Sequence, residues 1–257
     1  MFFDTKYGKI NYEYFGEGEE VLVFIHSFAL DISIYKNRLE EISKNCRVLL
    51  LDLPNHGKSF DIDYGRNNYK VLEECLLSLL DYLNINRFYI AGESLGGMYA
   101  QVFTSRNPQK VKGVICMGAN VIGEGIKRWQ VLLISIFISF LLILPKSLLY
   151  KIALIGKTKR KNIRDYILVC LKRRGIKEMI KIGEFVIFDK YIRVDNRLNV
   201  KSLFICGEFE SKMIKNSCRK NFPRRYLEID NAAHLVYLDA YKRVNNEIIN
   251  FISKDKN

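Results

Sequence analysis

Short apolar runs alternate with longer amphipathic segments along the chain. VLVFIH (21–26), CRVLLLDL (46–53), RFYIAG (87–92), VKGVICMG (111–118), SLFICG (202–207) and RRYLEID (224–230) are aliphatic or aromatic, with few polar interruptions. Continuous runs of this kind predict strands buried on both faces of a parallel sheet. GKINYEYFG (8–16) precedes the first of them, and the pair is expected to form an opening hairpin. Helix-length intervals lie between, at roughly 32–44, 69–84, 95–107 and 236–253. In the last, Leu235, Leu238, Tyr241, Val244, Ile248 and Phe251 recur every three or four residues, the period of a half-buried helix. Strand–helix alternation predicts an α/β domain with a mostly parallel sheet flanked by helices.

The interval 121–200 breaks this rhythm. It holds 17 basic and 6 acidic residues, net +11, whereas 1–120 has net −2 and 201–257 has net +4. Nearly all of the chain's +13 therefore sits in one segment. The domain reading follows: a core from 1–120 and 201–257, with a helical cap inserted at 121–200. Within the cap, WQVLLISIFISFLLILP (129–145) carries no charge between Arg128 and Lys146. About 17 residues is the lower limit for crossing a bilayer. A single span would leave residues 94 and 234 on opposite sides of the membrane, and the next interval is too short and too charged to return. Two readings stay open. The run packs on the core and on its neighbours, with the lysines solvated. Or it lines an acyl pocket or dips into a membrane surface, with the basic clusters KTKRKN (157–162) and LKRRG (171–175) near anionic headgroups, so that 128–175 would associate peripherally with a membrane. No aromatic–basic recognition motif accompanies these clusters, so no nucleic-acid partner is expected.

The remaining composition narrows the setting. A hydrophobic fraction of 49% over 257 residues suffices for a packed core. The six cysteines (46, 75, 116, 170, 206, 218) show no C-x-x-C spacing, and several lie inside apolar runs. They read as small buried residues of a reducing compartment rather than a disulfide frame or zinc site. MFFDTKYGKI has no basic stretch followed by an apolar core, so the expected location is cytoplasmic.

Candidate chemistry centres on AGESLGG (91–97). Ser94 follows a predicted strand and precedes a predicted helix. A tight strand-to-helix turn between Gly92 and Gly96 lifts its hydroxyl above the sheet, and the helix N-terminus offers N–H groups to a developing negative charge. A hydroxyl needs a base. The chain has three histidines. His234, in NAAHLVYLD between the last predicted strand and the last helix, is placed to reach across the sheet; His26 and His56 read as loop braces. The base needs an orienting carboxylate. GEFESKM after the strand SLFICG offers Glu208 and Glu210, and Asp230 is a third candidate. Glu210 is favoured, so the order is Ser94, Glu210, His234.

Five stretches together resemble the α/β-hydrolase fold superfamily of small esterases, lipases and related serine hydrolases. VFIHSF is similar to its His-Gly-Phe turn, and DLPNHGKS (52–59) to its Asp-x-x-Gly-His-Gly-x-Ser turn. GESLGG resembles its nucleophile elbow, GEFE its acid turn, and NAAHLVYLD its Ala-Gly-His turn. The resemblance implies an oxyanion hole built from the backbone N–H groups of Phe28 and Leu95. Ser27 stands where that family usually has glycine, so its side chain either clashes or finds a hydrogen bond. Glu210 stands for the commoner aspartate. Asn55 replaces a glycine, which asparagine's tolerance of left-handed backbone allows.

The function expected from these readings is hydrolysis of a carboxylic ester with an apolar acyl group, through an acyl-enzyme on Ser94. The substrate would be a small ester or lipid-like molecule, and neither cofactor nor metal would be needed. The alternatives are an acyltransferase or carbon–carbon bond hydrolase with the same triad, or a slow-turnover ligand-binding sensor. A serine at position 94 argues against haloalkane dehalogenation, which needs a carboxylate there.

Overall fold

The computed structural model describes residues 1–60, 62, 68–122, 128–188 and 198–253. The apolar runs become strands β1 (Phe2–Thr5), β2 (Gly8–Phe15), β3 (Val21–Ile25), β4 (Arg47–Leu51), β5 (Phe88–Glu93), β6 (Val111–Met117), β7 (Lys201–Gly207) and β8 (Tyr226–Ile229). They form a single sheet in the order β1-β2-β4-β3-β5-β6-β7-β8. β2 runs antiparallel to both its neighbours, β1 and β4, and every other pairing is parallel.

The opening hairpin is corrected. β2 pairs with β1 and β4, not with β3. All five side chains of β3 are buried, whereas β2 is partly exposed at both ends. A strand apolar on both faces belongs at the sheet centre, and β3 lies there between β4 and β5.

Helices cover both faces. α3 (Asn68–Tyr82) and α4 (Leu95–Arg106) pack with Val23, Ile25, Leu49, Leu51 and Ile90 on one side. α2 (Glu40–Ser43) and α10 (Val236–Ser253) pack with Leu22, Phe24, Val48, Leu50 and Ala91 on the other. Alternate residues of one strand thus enter opposite cores, the period-two rule at work. The expected helix at 32–44 is two short ones, α1 (Ser33–Lys36) and α2, and the backbone of α10 departs from helical geometry at Ala240. α9 (Lys212–Asn221), a polar helix capped by the Ser211 side chain, lies between β7 and β8.

Between β6 and β7 the chain departs from the sheet and builds α5 (Arg128–Ile143), α6 (Lys146–Leu154), α7 (Lys161–Arg174) and α8 (Ile176–Phe188). Their buried residues, among them Leu149, Ile163, Ile167, Leu171 and Met179, join the α10-side core. Residues 123–127 and 189–197 of the 121–200 interval lie outside the described residues. α5 has 16 residues, and no helix among the described residues is long and apolar enough to cross a membrane. All six cysteines are buried, and none of them forms a disulfide.

Candidate active site

The turn after β5 is as tight as its glycines suggest. Ser94 holds φ 54° and ψ −113°, a strained conformation for a residue with a Cβ. A Cβ at Gly92 would come within 2.2 Å of the Gly96 carbonyl, and one at Gly96 within 2.2 Å of the Ile25 carbonyl oxygen. No side chain larger than hydrogen fits there.

His234 lies in the loop between β8 and α10. The Ser94 hydroxyl donates to its Nε2 at 2.8 Å, and its Nδ1–H donates to Glu210 Oε2 at 2.8 Å. Of the three acid candidates, Glu210 is the one that reaches the imidazole. Glu208 instead accepts the Asn231 N–H at 2.9 Å, and Asp230 is exposed. Burial would raise the Glu210 carboxyl, but the His234 hydrogen bond and charge, the Ser211 N–H and Lys157 outweigh it and hold the carboxyl below its ordinary range. It is therefore an anion at neutral pH, suited to stabilising an imidazolium.

The other two histidines brace loops. His26 donates from Nδ1 to the Ser27 carbonyl at 2.7 Å and accepts the Leu53 N–H on Nε2 at 2.9 Å, which fixes it as neutral. Asp52 stands 4.0 Å from that Nε2, but the lone pair is already engaged. His56 donates from Nδ1 to the Pro54 carbonyl at 2.9 Å, and burial pushes it down to about 3. Its ring meets Phe28 edge-on at 5.5 Å. Asp52 organises the turn that carries His56 by accepting from Asn11, Ile32 and Lys58.

The Phe28 and Leu95 N–H groups have no acceptor among the described residues, and both residues line the same cavity as Ser94. Ser27 does not take the left-handed conformation that would require glycine; that falls on Ala29, at φ 62°. The Ser27 N–H donates to the Tyr35 hydroxyl at 3.3 Å, so the turn is held rather than disrupted. Asn55 does adopt a left-handed φ of 58°.

Two positioning groups escaped the sequence reading. Glu93, between Gly92 and Ser94, is fully buried. It accepts the Tyr35 O–H at 2.7 Å and the Tyr237 N–H at 2.7 Å. Through Tyr35 it links the elbow to Ser27, and through Tyr237 to the start of α10. The second is Asp239. It accepts the Ala233 N–H at 2.9 Å, the Lys159 N–H and the Thr158 hydroxyl, so one carboxylate ties the histidine turn to the strap 156–160 between α6 and α7. The Lys157 carbonyl also accepts the Leu235 N–H at 2.8 Å. An acid inside an apolar run was the available signal for both; their distant partners, 58 to 144 residues away, were not.

Burial raises the Glu93 carboxyl to about 8 from its ordinary 4.5, despite hydrogen bonds from Tyr35, Tyr237 and Leu238. The folded carboxyl then keeps a proton that the unfolded chain releases. Its contribution to stability is complete below 4.5 and lost as pH rises through about 8. The steepest slope available to one group is about 1.4 kcal/mol per pH unit. Buried, neutral His26 and His56 act in the opposite direction at lower pH, so the comparison is with Glu93→Gln. Melting temperatures of the wild type should fall between pH 5 and 8.5 relative to that variant; parallel curves would refute the assignment.

Ser94 opens into a cavity of about 220 Å³ between core and inserted helices. Its walls are mainly apolar, with Leu30, Leu141, Leu149, Ile152, Ile176 and Met179. Lys157 is the charged exception. Burial lowers its ammonium group, with the Glu210 carboxylate opposing, and it has no hydrogen-bond or ion-pair partner among the described residues. No group of three or more His, Cys, Asp or Glu side chains that could hold a metal occurs among them either.

Comparison with known proteins places this geometry. Residues 20–137 match the family described as alpha/beta hydrolase fold. A dihydrolipoyllysine-residue acetyltransferase component of the acetoin cleaving system from Pseudomonas putida is 26% identical over 95% of this chain and 66% of that protein. A 2-hydroxy-6-oxononadienedioate/2-hydroxy-6-oxononatrienedioate hydrolase from Escherichia coli K12 is 29% identical over 47% of this chain and 46% of that protein. The chain thus spans less than two thirds of either relative. The crystal structure of an enol-lactonase from Burkholderia xenovorans superimposes with a TM-score of 0.77 over 98% of this chain and all of that one, at 18% identity.

Proposed function

Starting from a chain that has the α/β-hydrolase fold, we propose that it is a serine hydrolase that cleaves a carboxylic ester with an apolar acyl group. The observation that carries this is the continuous relay from Ser94 through His234 to Glu210, opening on a largely apolar cavity.

In this reading Ser94 Oγ attacks the ester carbonyl while His234 Nε2 takes its proton. Glu210 holds the imidazole with Nδ1 protonated and stabilises the imidazolium. The Phe28 and Leu95 N–H groups receive the charge on the carbonyl oxygen. Collapse expels the alcohol, which takes the proton back from His234. Water then attacks the acyl-enzyme with His234 as base, releasing the acid and regenerating Ser94.

Lys157 supports a second reading at the same site. An unpaired ammonium group in an apolar cavity suits an acyl chain that ends in a carboxylate, or a carbon–carbon bond hydrolase substrate with one. The Escherichia coli relative is named for dioates. One substrate panel distinguishes the two. p-Nitrophenyl esters from acetate to palmitate are compared with half-esters of dicarboxylic acids of matched length. The apolar reading expects kcat/KM to rise with chain length and to drop about tenfold or more when the terminal carboxylate is added, because a buried charge is penalised. A preference for the half-esters that Lys157→Met abolishes would select the second reading. No Ser94-dependent turnover on any of them would defeat both.

A further inference from the structure

The outer side of α5 is apolar, where a surface helix is ordinarily polar. Leu133, Ile136, Phe137, Phe140 and Ile143 are 55–80% exposed. Their spacing puts them on one face of the helix. The opposite face carries Ile138, which is buried, and Leu141, which lines the Ser94 cavity. Beyond the α5–α6 corner, Leu148 and Ile155 are also exposed, 42% and 74%. Lys146 and Lys151 stand exposed in the same stretch. Across 128–188 there are 13 Lys and Arg against 3 Asp and Glu.

Seven large apolar side chains in the open between Leu133 and Ile155 exceed the scatter of a normal surface. The occupant of this face has to accept both apolar side chains and cations. A nucleic acid would pair the lysines and leave the phenylalanines in water. A second copy of the chain would bring its own net +13 against the same cations. An anionic lipid bilayer meets both demands: its acyl boundary takes the side chains while its headgroups meet the lysines. α5 is anchored through Ile138 and is too short to cross, so it would lie in the plane of the surface.

We propose that the exposed face of α5 and α6 docks on anionic membranes. The contact does not involve the Ser94 relay, so Ser94→Ala should bind vesicles as the wild type does. Co-sedimentation of the full chain tests it, with vesicles of phosphatidylcholine alone and with one third phosphatidylglycerol. The expected result is partition at least about tenfold stronger on the anionic vesicles, weakened by 0.5 M salt. Phe137→Ser with Phe140→Ser, and separately Lys146→Glu with Lys151→Glu, should each lower partition about tenfold with melting temperature unchanged. Full recovery of the chain in the supernatant with both vesicle types overturns the proposal. So does equal binding to neutral and anionic lipid. A dimer dissociated by the phenylalanine substitutions, without lipid binding, would assign the face to a second copy instead.

Discussion

Ser94→Ala is expected to lower kcat on any ester the protein turns over by about 10³- to 10⁶-fold. The substitution removes only the attacking oxygen. Alanine keeps the Cβ that serine already forces into the strained turn, so the backbone strain at φ 54° is unchanged and the fold should persist. What is lost is the donor to His234 Nε2, and with it the proposed nucleophile. On the proposed mechanism Ser94 and His234 act as a unit, so adding His234→Ala should take little more activity away. Single-turnover kinetics and fluorophosphonate labelling of both proteins check this. Residual turnover within tenfold of the wild type, or labelling that survives in Ser94→Ala, would move the nucleophile elsewhere.

Glu210→Gln should lower kcat by about 10²- to 10⁴-fold, and Glu208→Gln by no more than a few-fold. Glutamine preserves the shape of Glu210 but ends in a group that can donate as well as accept. If its NH₂ faces His234 Nδ1, the imidazole must carry its proton on Nε2 and can no longer accept one from Ser94. If its carbonyl oxygen faces Nδ1, the tautomer survives but the anion that stabilises the imidazolium is gone. Glu208 offers neither effect, since its carboxylate turns outward to the Asn231 N–H. The ratio of the two variants' kcat values is the measurement, and a more damaging Glu208→Gln would transfer the role.

The residues that were legible share a property: their meaning is local. Gly92, Ser94 and Gly96 describe a turn within five positions, and His234 and Glu210 each sit at the end of a strand that the apolar runs reveal. Alternation of short runs with helix-length intervals was enough for a parallel sheet with helices on both faces. Pairing was less legible. β2 and β3 are neighbours in sequence and both apolar, which suggested a hairpin, but β3 is buried on both faces and is drawn to the centre. α9 was missed because KMIKNSCRKN fully buries only Cys218, and the line from Ile214 through Cys218 to Phe222 is too narrow among polar residues to stand out. The Glu93–Tyr35–Ser27 connection and the Asp239 clasp were invisible for a different reason. Each depends on side chains that meet only after the sheet has formed, and no spacing rule connects them. The two open readings of 129–145 could not be separated by periodicity, since both sides of α5 are apolar; one side faces the cavity and the other faces out.

Asp239 also sets the terms on which the inserted helices can be exchanged. Recombination between chains of this fold would naturally cut in the connections that leave β6 and return to β7, treating everything between as one interchangeable module. The strap at 156–160 belongs to that module, yet its hydrogen bonds end on a carboxylate of the core that also holds the histidine turn. A foreign module without a matching strap would leave part of that carboxylate unanswered beside His234. The exchangeable unit is therefore larger than the insertion: the strap and Asp239 belong together, and a chimaera that keeps this pairing keeps the contacts that hold the His234 turn.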